Sequence, residues 1–160
     1  MEIQAIKLEI PEGSNLIFGQ THFIKSVEDL YEILVGSAPG IKFGLAFCEA
    51  SQQCLVRTEG NAPELIEACS QNAIHVGAGH TFFILIQDAF PINCLNAVKA
   101  CPEVCRVFCA TANPVQALVA QSEQGRGVLG VIDGFSPKGI ETEKDKSDRK
   151  DLLRRFGYKL

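Results

Sequence analysis

Hydrophobic and polar residues alternate or cluster along the chain in a way that predicts seven strands. Residues 3–10 alternate, with Ile6, Leu8 and Ile10 on one face, as expected of a half-buried strand. Residues 81–86, TFFILI, form an uninterrupted apolar run, which predicts a central strand buried on both faces. The remaining predicted strands are residues 43–48, 54–57, 104–110, 115–120 and 128–132.

Four segments predict helices. The first has a 3.6-residue apolar period, with Ser26 as its predicted cap, Asp29 as capping-box partner and Gly36 as its stop. The second opens near residue 61 and is closed by Gly77, and the third runs from residue 91 until a proline at 102 ends it. Residues 143–155 predict an amphipathic C-terminal helix, capped by Gly157. The pattern therefore predicts one α/β domain over residues 1–160, a mixed sheet with helices packed on it.

Composition agrees with one soluble globular domain, since 46% of the 160 residues are hydrophobic and 21% are charged. The N-terminus lacks the pattern of a signal peptide and no apolar run is long enough to cross a membrane, so we expect a cytoplasmic protein that binds no membrane. Only 22 of the first 140 residues are charged, which predicts a surface partly covered by other subunits, and hence a homo-oligomer. No basic stripe is present, which argues against a nucleic-acid partner.

Seven cysteines are present, and their odd number in a chain without an export signal favours reduced thiols. Three of them lie in the segment CPEVCRVFC, residues 101–109. In an extended segment, cysteines four residues apart have their thiols about 13 Å from each other, which is too far to bind the same metal ion. We therefore predict no metal site and small buried side chains instead.

Three glycine-containing segments carry candidate chemistry. GQTHFIK places Gln20, His22 and Lys25 before a helix N-terminus, where they either hold phosphate or ribose or form an ordinary turn with a solvated lysine. VGAGH places His80 before the central strand, where it either contacts a ligand or makes a structural hydrogen bond.

The third segment, GRGVLGVIDG, matches GxGxxG, but predicted strands flank it on both sides, so it is not a dinucleotide-binding motif. A glycine-rich hairpin can cover phosphates with backbone amides from Gly125 and Gly127, with Arg126 at its tip. Asp133 is then a candidate base or metal ligand. The alternative is a tight turn with a surface arginine and a capping aspartate.

Two strand ends add polar candidates. Glu49 could accept ribose hydroxyls, although a carboxylate in this position is more often solvated. Asn113 is held extended by the following Pro114, so its amide could read a base or ribose edge, or form an Asx turn.

Seven segments, taken in order, resemble the adenosine-specific kinase family of archaea and some bacteria, from about residue 3 to 160. They are GQTHFIK, GIKFGLAFCEAS, GAGHTFFI, FPINCLNAVKACPEVC, ATANP, GRGVLGVIDG and LLRRFGYKL. A local departure is the pair Gln52 and Gln53, where that family often has glycine. The resemblance implies an oligomeric α/β domain, a trimer or another multiple, that binds adenosine or AMP.

The resemblance also implies phosphoryl transfer from ATP, with Mg²⁺, to the 5′-hydroxyl of adenosine. On this hypothesis the hairpin and Lys25 hold phosphate, Glu49 or Asn113 holds ribose or adenine, and Asp133 or His80 orients the hydroxyl. Such a site would act through positioning and charge neutralisation. Two alternatives stay open: a non-catalytic sensor of AMP or adenosine that acts through its oligomer, and a purely structural assembly protein.

Overall fold

A computed structural model describes residues 1–160. It contains eight strands and four helices. In chain order they are β1 (Glu2–Lys7), β2 (Asn15–Thr21), α1 (Ser26–Val35), β3 (Lys42–Cys48), β4 (Val56–Gly60), α2 (Pro63–Val76), β5 (Thr81–Gln87), α3 (Pro91–Ala100), β6 (Val104–Thr111), β7 (Val115–Gln121), β8 (Arg126–Asp133) and α4 (Glu143–Arg155).

The strands form two antiparallel sheets rather than the single mixed sheet that the sequence predicted. Five strands make a large sheet in the order β4-β3-β5-β2-β6, and three make a small sheet in the order β1-β7-β8. The only parallel pairing is an isolated bridge between Ala78 and Arg126. The prediction of an α/β domain with helices packed on a sheet is confirmed, and β5 lies at the centre as TFFILI predicted.

Two hydrophobic layers cover the two faces of the large sheet. On one face α2 and the small sheet enclose a core that includes Leu65, Cys69, Phe83 and Val119. On the other face α1 and α3 enclose a second core that includes Phe47 and other large side chains. Because β5 contributes to both cores, its continuous apolar sequence is explained by burial on both sides.

The backbone of α2 lies directly on the backbone of β3 at Gly44. A Cβ atom at Gly44 would stand 2.2 Å from the carbonyl carbon of Leu65, so no other residue fits. Its partner in register is Gly60, which has φ +148° and where a Cβ would stand 2.5 Å from the carbonyl oxygen of Phe43. This contact fixes the depth at which α2 sits on the sheet.

The first helix begins differently from the sequence prediction. Its N-cap is Lys25, and the Ser26 hydroxyl donates to the carbonyl of Phe23 at 2.6 Å and accepts from Thr21 at 2.9 Å. Asp29 does not complete a capping box but bonds the Lys25 ammonium instead. Ser26 is fully buried, so its hydroxyl closes the turn before the helix rather than capping it.

The prediction that the cysteines are buried is confirmed at five of the seven positions. Cys48, Cys69, Cys94, Cys101 and Cys109 are buried, whereas Cys54 and Cys105 are exposed, and none forms a disulfide. Burial raises the pKa of Cys94 to about 11. No helix of the chain has the length and apolar character needed to cross a membrane.

We predict that Gly44→Ala destabilises the fold by at least about 2 kcal/mol, because the new methyl group would overlap the α2 backbone. Urea unfolding followed by circular dichroism measures this. The matched control is Gly130→Ala, where a Cβ meets nothing within 4 Å and where we expect a change of less than about 0.5 kcal/mol. Equal effects of the two substitutions would contradict the close contact.

Candidate functional site

A cleft of about 640 Å³ opens at the end of the molecule where α2 and β3 finish and β8 begins. Its walls are the segment after β3, the last turn of α2 with residues 77–79, and the hairpin between β7 and β8. Its volume falls within the range of pockets that hold small ligands. Four residues that the sequence predicted as ligand-binding or catalytic line it: Glu49, Gly125, Arg126 and Gly127.

Arg126 joins the hairpin to the C-terminus of α2. Its Nη1 donates to the carbonyl oxygens of His75 at 2.9 Å and Val76 at 3.4 Å, and its Nε donates to Gln121 at 3.1 Å. These carbonyls are left without helical partners where α2 ends at Gly77, which has φ +58°. A cation at this end also complements the helix dipole. Arg126 therefore has a structural role, and its Nη2 makes no hydrogen bond within the chain.

The hairpin presents bare backbone to the cleft. At both Gly125 and Gly127 a Cβ atom would meet nothing within 4 Å, so these glycines are not required by packing within the chain. Gly125 has φ +159°, which is extended backbone. The open space beside them is where a side chain would otherwise stand, and a bound group can approach the backbone there.

Glu49 is the only acidic side chain that lines the cleft. Its Oε2 accepts from the Leu55 backbone N–H at 3.0 Å, and both oxygens lie 3.1 Å from Nη2 of Arg57. The Leu55 N–H, followed by the Arg57 guanidinium, lowers the pKa of Glu49 below its ordinary value. Glu49 is therefore a carboxylate at neutral pH, a good acceptor for hydroxyls and a poor base.

The segment between Glu49 and Leu55 contains the departure from the resembled family. Gln52 adopts φ +57° and Cys54 φ +51°, in the left-handed region that favours glycine. Glycine at position 52 would adopt this turn without strain.

His80 lies beside the cleft but does not line it. Its ring stacks on Phe47 with centroids 5.8 Å apart, and Phe47 belongs to the core under α1 and α3. Its backbone N–H donates to the Cys48 carbonyl at 2.7 Å and its carbonyl accepts from Thr21 at 2.9 Å. Because its φ is +64°, His80 carries backbone strain of the kind that is common near functional sites.

The residues of GQTHFIK lie at the same end of the large sheet. Gln20 is half-buried, while His22 is exposed and its ring lies 6.0 Å from that of Phe23. Lys25 is paired with Asp29 at 2.5 Å and with Glu103 at 3.4 Å. Two carboxylates around one ammonium leave a net negative charge, which disfavours the predicted phosphate contact of Lys25.

Asn113 and Asp133 lie at the opposite end of the molecule. The Asn113 amide donates to Asp133 at 3.3 Å, and both side chains are exposed. Arg126 and Asp133 begin and end β8, so within one chain they are about 23 Å apart. Within one chain the structure therefore does not bring Asp133 beside the hairpin, where the hypothesis places it.

The sequence model of the family described as adenosine specific kinase matches residues 6–159. The chain belongs to the adenosine-specific kinase family. A crystal structure of the PH1918 protein from Pyrococcus horikoshii OT3 shares 46% identity, covers 99% of this chain and 98% of its own, and superposes with a TM-score of 0.95. No curated protein matches the sequence.

Some residues of this family member's cleft were not singled out from the sequence. Leu55 and Ile74 are large, exposed apolar side chains of the cleft walls, and Gln121 holds Arg126 from the neighbouring strand. No local motif marks them, because they come from separate elements that meet only in the folded chain. A large exposed apolar residue on a helix, as Ile74 is on α2, becomes informative only when its neighbours are known.

Arg57→Ala should raise the pKa of Glu49 but leave it below its ordinary value, because the Leu55 N–H that contributes most remains. A ¹³C NMR titration of the Glu49 carboxyl carbon measures the shift. The matched control is Lys42→Ala, which removes a cation at the far end of β3 and should leave the Glu49 titration unchanged. A full return to the ordinary value in Arg57→Ala would contradict the contribution of the backbone bond.

Proposed function

We propose that the cleft between Glu49 and the Gly125–Gly127 hairpin binds adenosine and its 5′-phosphate ester, AMP. The family supports an adenosine-related function, and this cleft gathers more of the predicted site residues than any other part of the chain. The observation that carries the proposal is the combination of one ionised carboxylate, bare hairpin backbone and apolar walls in a single cleft.

Each part of the ligand has a matching surface. The ribose hydroxyls donate to the Glu49 carboxylate, whose low pKa keeps it ionised. The adenine lies against the apolar side chains of Leu55 and Ile74. The phosphate takes hydrogen bonds from the hairpin backbone and from Nη2 of Arg126. In this arrangement Arg126 supplies the only basic side chain of the cleft lining, and no carboxylate neutralises it.

The finer proposal is that the protein phosphorylates adenosine. The 5′-oxygen of the ribose attacks the γ-phosphorus of ATP, a new O–P bond forms, and the bond from that phosphorus to the bridging oxygen breaks. ADP leaves with the electron pair, and the hydroxyl proton passes to solvent or to phosphate oxygen. The family supports this reaction, with ATP as the donor. The protein's part is to position both reactants and stabilise charge.

The cleft does not fit a Mg²⁺ ion held by the protein itself. Such ions usually take one or two carboxylates together with substrate phosphates. Glu49 is the only carboxylate in the cleft lining, and Arg57 and Leu55 already engage it. Nor does the cleft contain a strong base, since Glu49 has a lowered pKa and the His80 ring stacks on the other face of the sheet.

These two features favour the alternative function, a sensor that binds adenosine or AMP without turnover. Binding would then change the contacts of the hairpin, because Arg126 connects it to α2. A homo-oligomer, a trimer or another multiple, through which such a signal could pass, stays a prediction from the low charge density of residues 1–140. The cytoplasmic location likewise stays a prediction.

Glu49→Gln should weaken adenosine binding by at least about tenfold, because the amide has one oxygen where the carboxylate has two charged acceptors. Isothermal titration calorimetry with adenosine measures this. The matched control is Glu59→Gln, which makes the same change at an exposed position of β4 outside the cleft and should bind like the unmodified protein. Equal affinity of both variants would place adenosine elsewhere.

Incubation of the protein with labelled adenosine and Mg-ATP distinguishes phosphorylation of adenosine from binding without turnover. We expect labelled AMP from the unmodified protein and about a hundredfold less from Arg126→Ala, since that substitution removes the cation at the phosphate. Lys42→Ala, a cation at the other end of β3, should retain turnover. Adenosine binding without AMP formation would instead establish the sensor, and a protein that neither binds nor converts adenosine would overturn both proposals.

A further inference from the structure

The C-terminal arm, residues 135–160, is not held by the rest of its own chain. Every side-chain hydrogen bond and ion pair of the arm joins two arm residues, such as Arg149 to Glu141 and Lys144 to Asp148. No residue of α4 is buried. A 13-residue helix that buries no residue is marginally stable in water, so α4 needs another surface to pack on.

The arm presents an apolar stripe with nothing on it. Leu152 is 42% exposed, Phe156 is 61% exposed, and Leu160 at the end of the chain is fully exposed. Leu153 extends this face of the helix, because at about 100° per residue Phe156 projects between Leu152 and Leu153. The stripe ends in an aromatic pair, Phe156 and Tyr158, with centroids 6.2 Å apart.

The arm nevertheless has a defined position relative to the body. It contains 26 of the 160 residues, about a sixth of the chain. A TM-score of 0.95 over 99% of the chain requires that the arm superposes on the PH1918 protein together with the body, because the body without this sixth of the chain could not reach that score. An arm with no hydrogen bond or ion pair to its own body, yet with one defined position, is explained by contact with another molecule.

The charge of the arm and the charge of the body indicate that this other molecule is a second copy of the chain. The arm has eight basic and five acidic residues, whereas residues 1–134 have seven basic and fourteen acidic residues. The arm is therefore positive and the body strongly negative, so the arm of one copy is attracted to the body of another. Arg154 and Arg155 beside the stripe have no acidic partner, and Glu28 and Glu32 on α1 have no basic partner.

We propose that the arm of each chain packs on a second copy of the chain, in the groove between α1 and α3. The groove has a volume of about 520 Å³, and its lining combines Glu32 and the Lys25–Asp29 ion pair with the apolar residues Ile33, Ala97 and Ala100. The apolar stripe covers these side chains while the arginines meet the glutamates at the rim. The proposal does not depend on adenosine binding, because the groove and the cleft share no residue.

Two measurements on the full-length protein test whether α4 packs on a second copy of the chain. They are the hydrogen exchange of the α4 amides, followed by mass spectrometry, and the solution mass from sedimentation equilibrium. The proposal requires a mass greater than one chain and α4 amides that exchange at least about tenfold more slowly than in Leu153→Glu/Phe156→Glu. The matched control is Ser147→Glu, which adds a carboxylate on the side of α4 away from the stripe and should keep the protection.

The groove is tested by reversing charge on both sides. Glu32→Arg should remove the α4 protection, and the combination of Glu32→Arg with Arg154→Glu/Arg155→Glu should restore it. A monomer with a protected arm would show that the arm packs on its own body, and unprotected α4 amides in the unmodified protein would show that it packs on nothing. Protection that is unchanged by Glu32→Arg would exclude this groove, so each of these three results overturns the proposal.

Discussion

The contact between the backbones of α2 and β3 at Gly44 sets the position of everything at the cleft. With no side chain between them, the helix lies directly on the strand, and its far end falls where β3 gives way to Glu49. There α2 stops at Gly77, and its last carbonyls become the acceptors that hold Arg126. The cleft is thus built from a helix end, a strand end and a hairpin that this one close approach brings together.

Lys25 and Arg126, the two candidate cations for a phosphate, differ in the charge of the groups that surround them. This difference decides which of the two suits a phosphate. Lys25 stands between the carboxylates of Asp29 and Glu103, so an anion would have to compete with both. Arg126 is held by carbonyl oxygens and an amide oxygen, which carry no net charge. It therefore keeps its full positive charge for a ligand. Sequence alone treats the two as equivalent basic residues beside glycine.

The sequence predicted all four helices and seven of the eight strands, but it missed β2, and it predicted the arrangement of the elements less well. Periodicity located the helices, and the apolar run TFFILI correctly placed β5 at the centre of the large sheet. The division into two antiparallel sheets was not predicted, because it depends on which strands pair and no local pattern records this. The same limit applies to the site. GRGVLGVIDG carries Arg126 and Asp133 in one short motif, yet an extended strand puts its two ends far apart.

A crystal structure of the protein grown with adenosine would show where the nucleoside binds. We expect nucleoside density in the cleft, with the ribose against Glu49 and the 5′-carbon toward the Gly125–Gly127 hairpin. Density at the Asn113 and Asp133 end instead, with the cleft holding only water, would contradict it and move the functional site to the opposite end of β8.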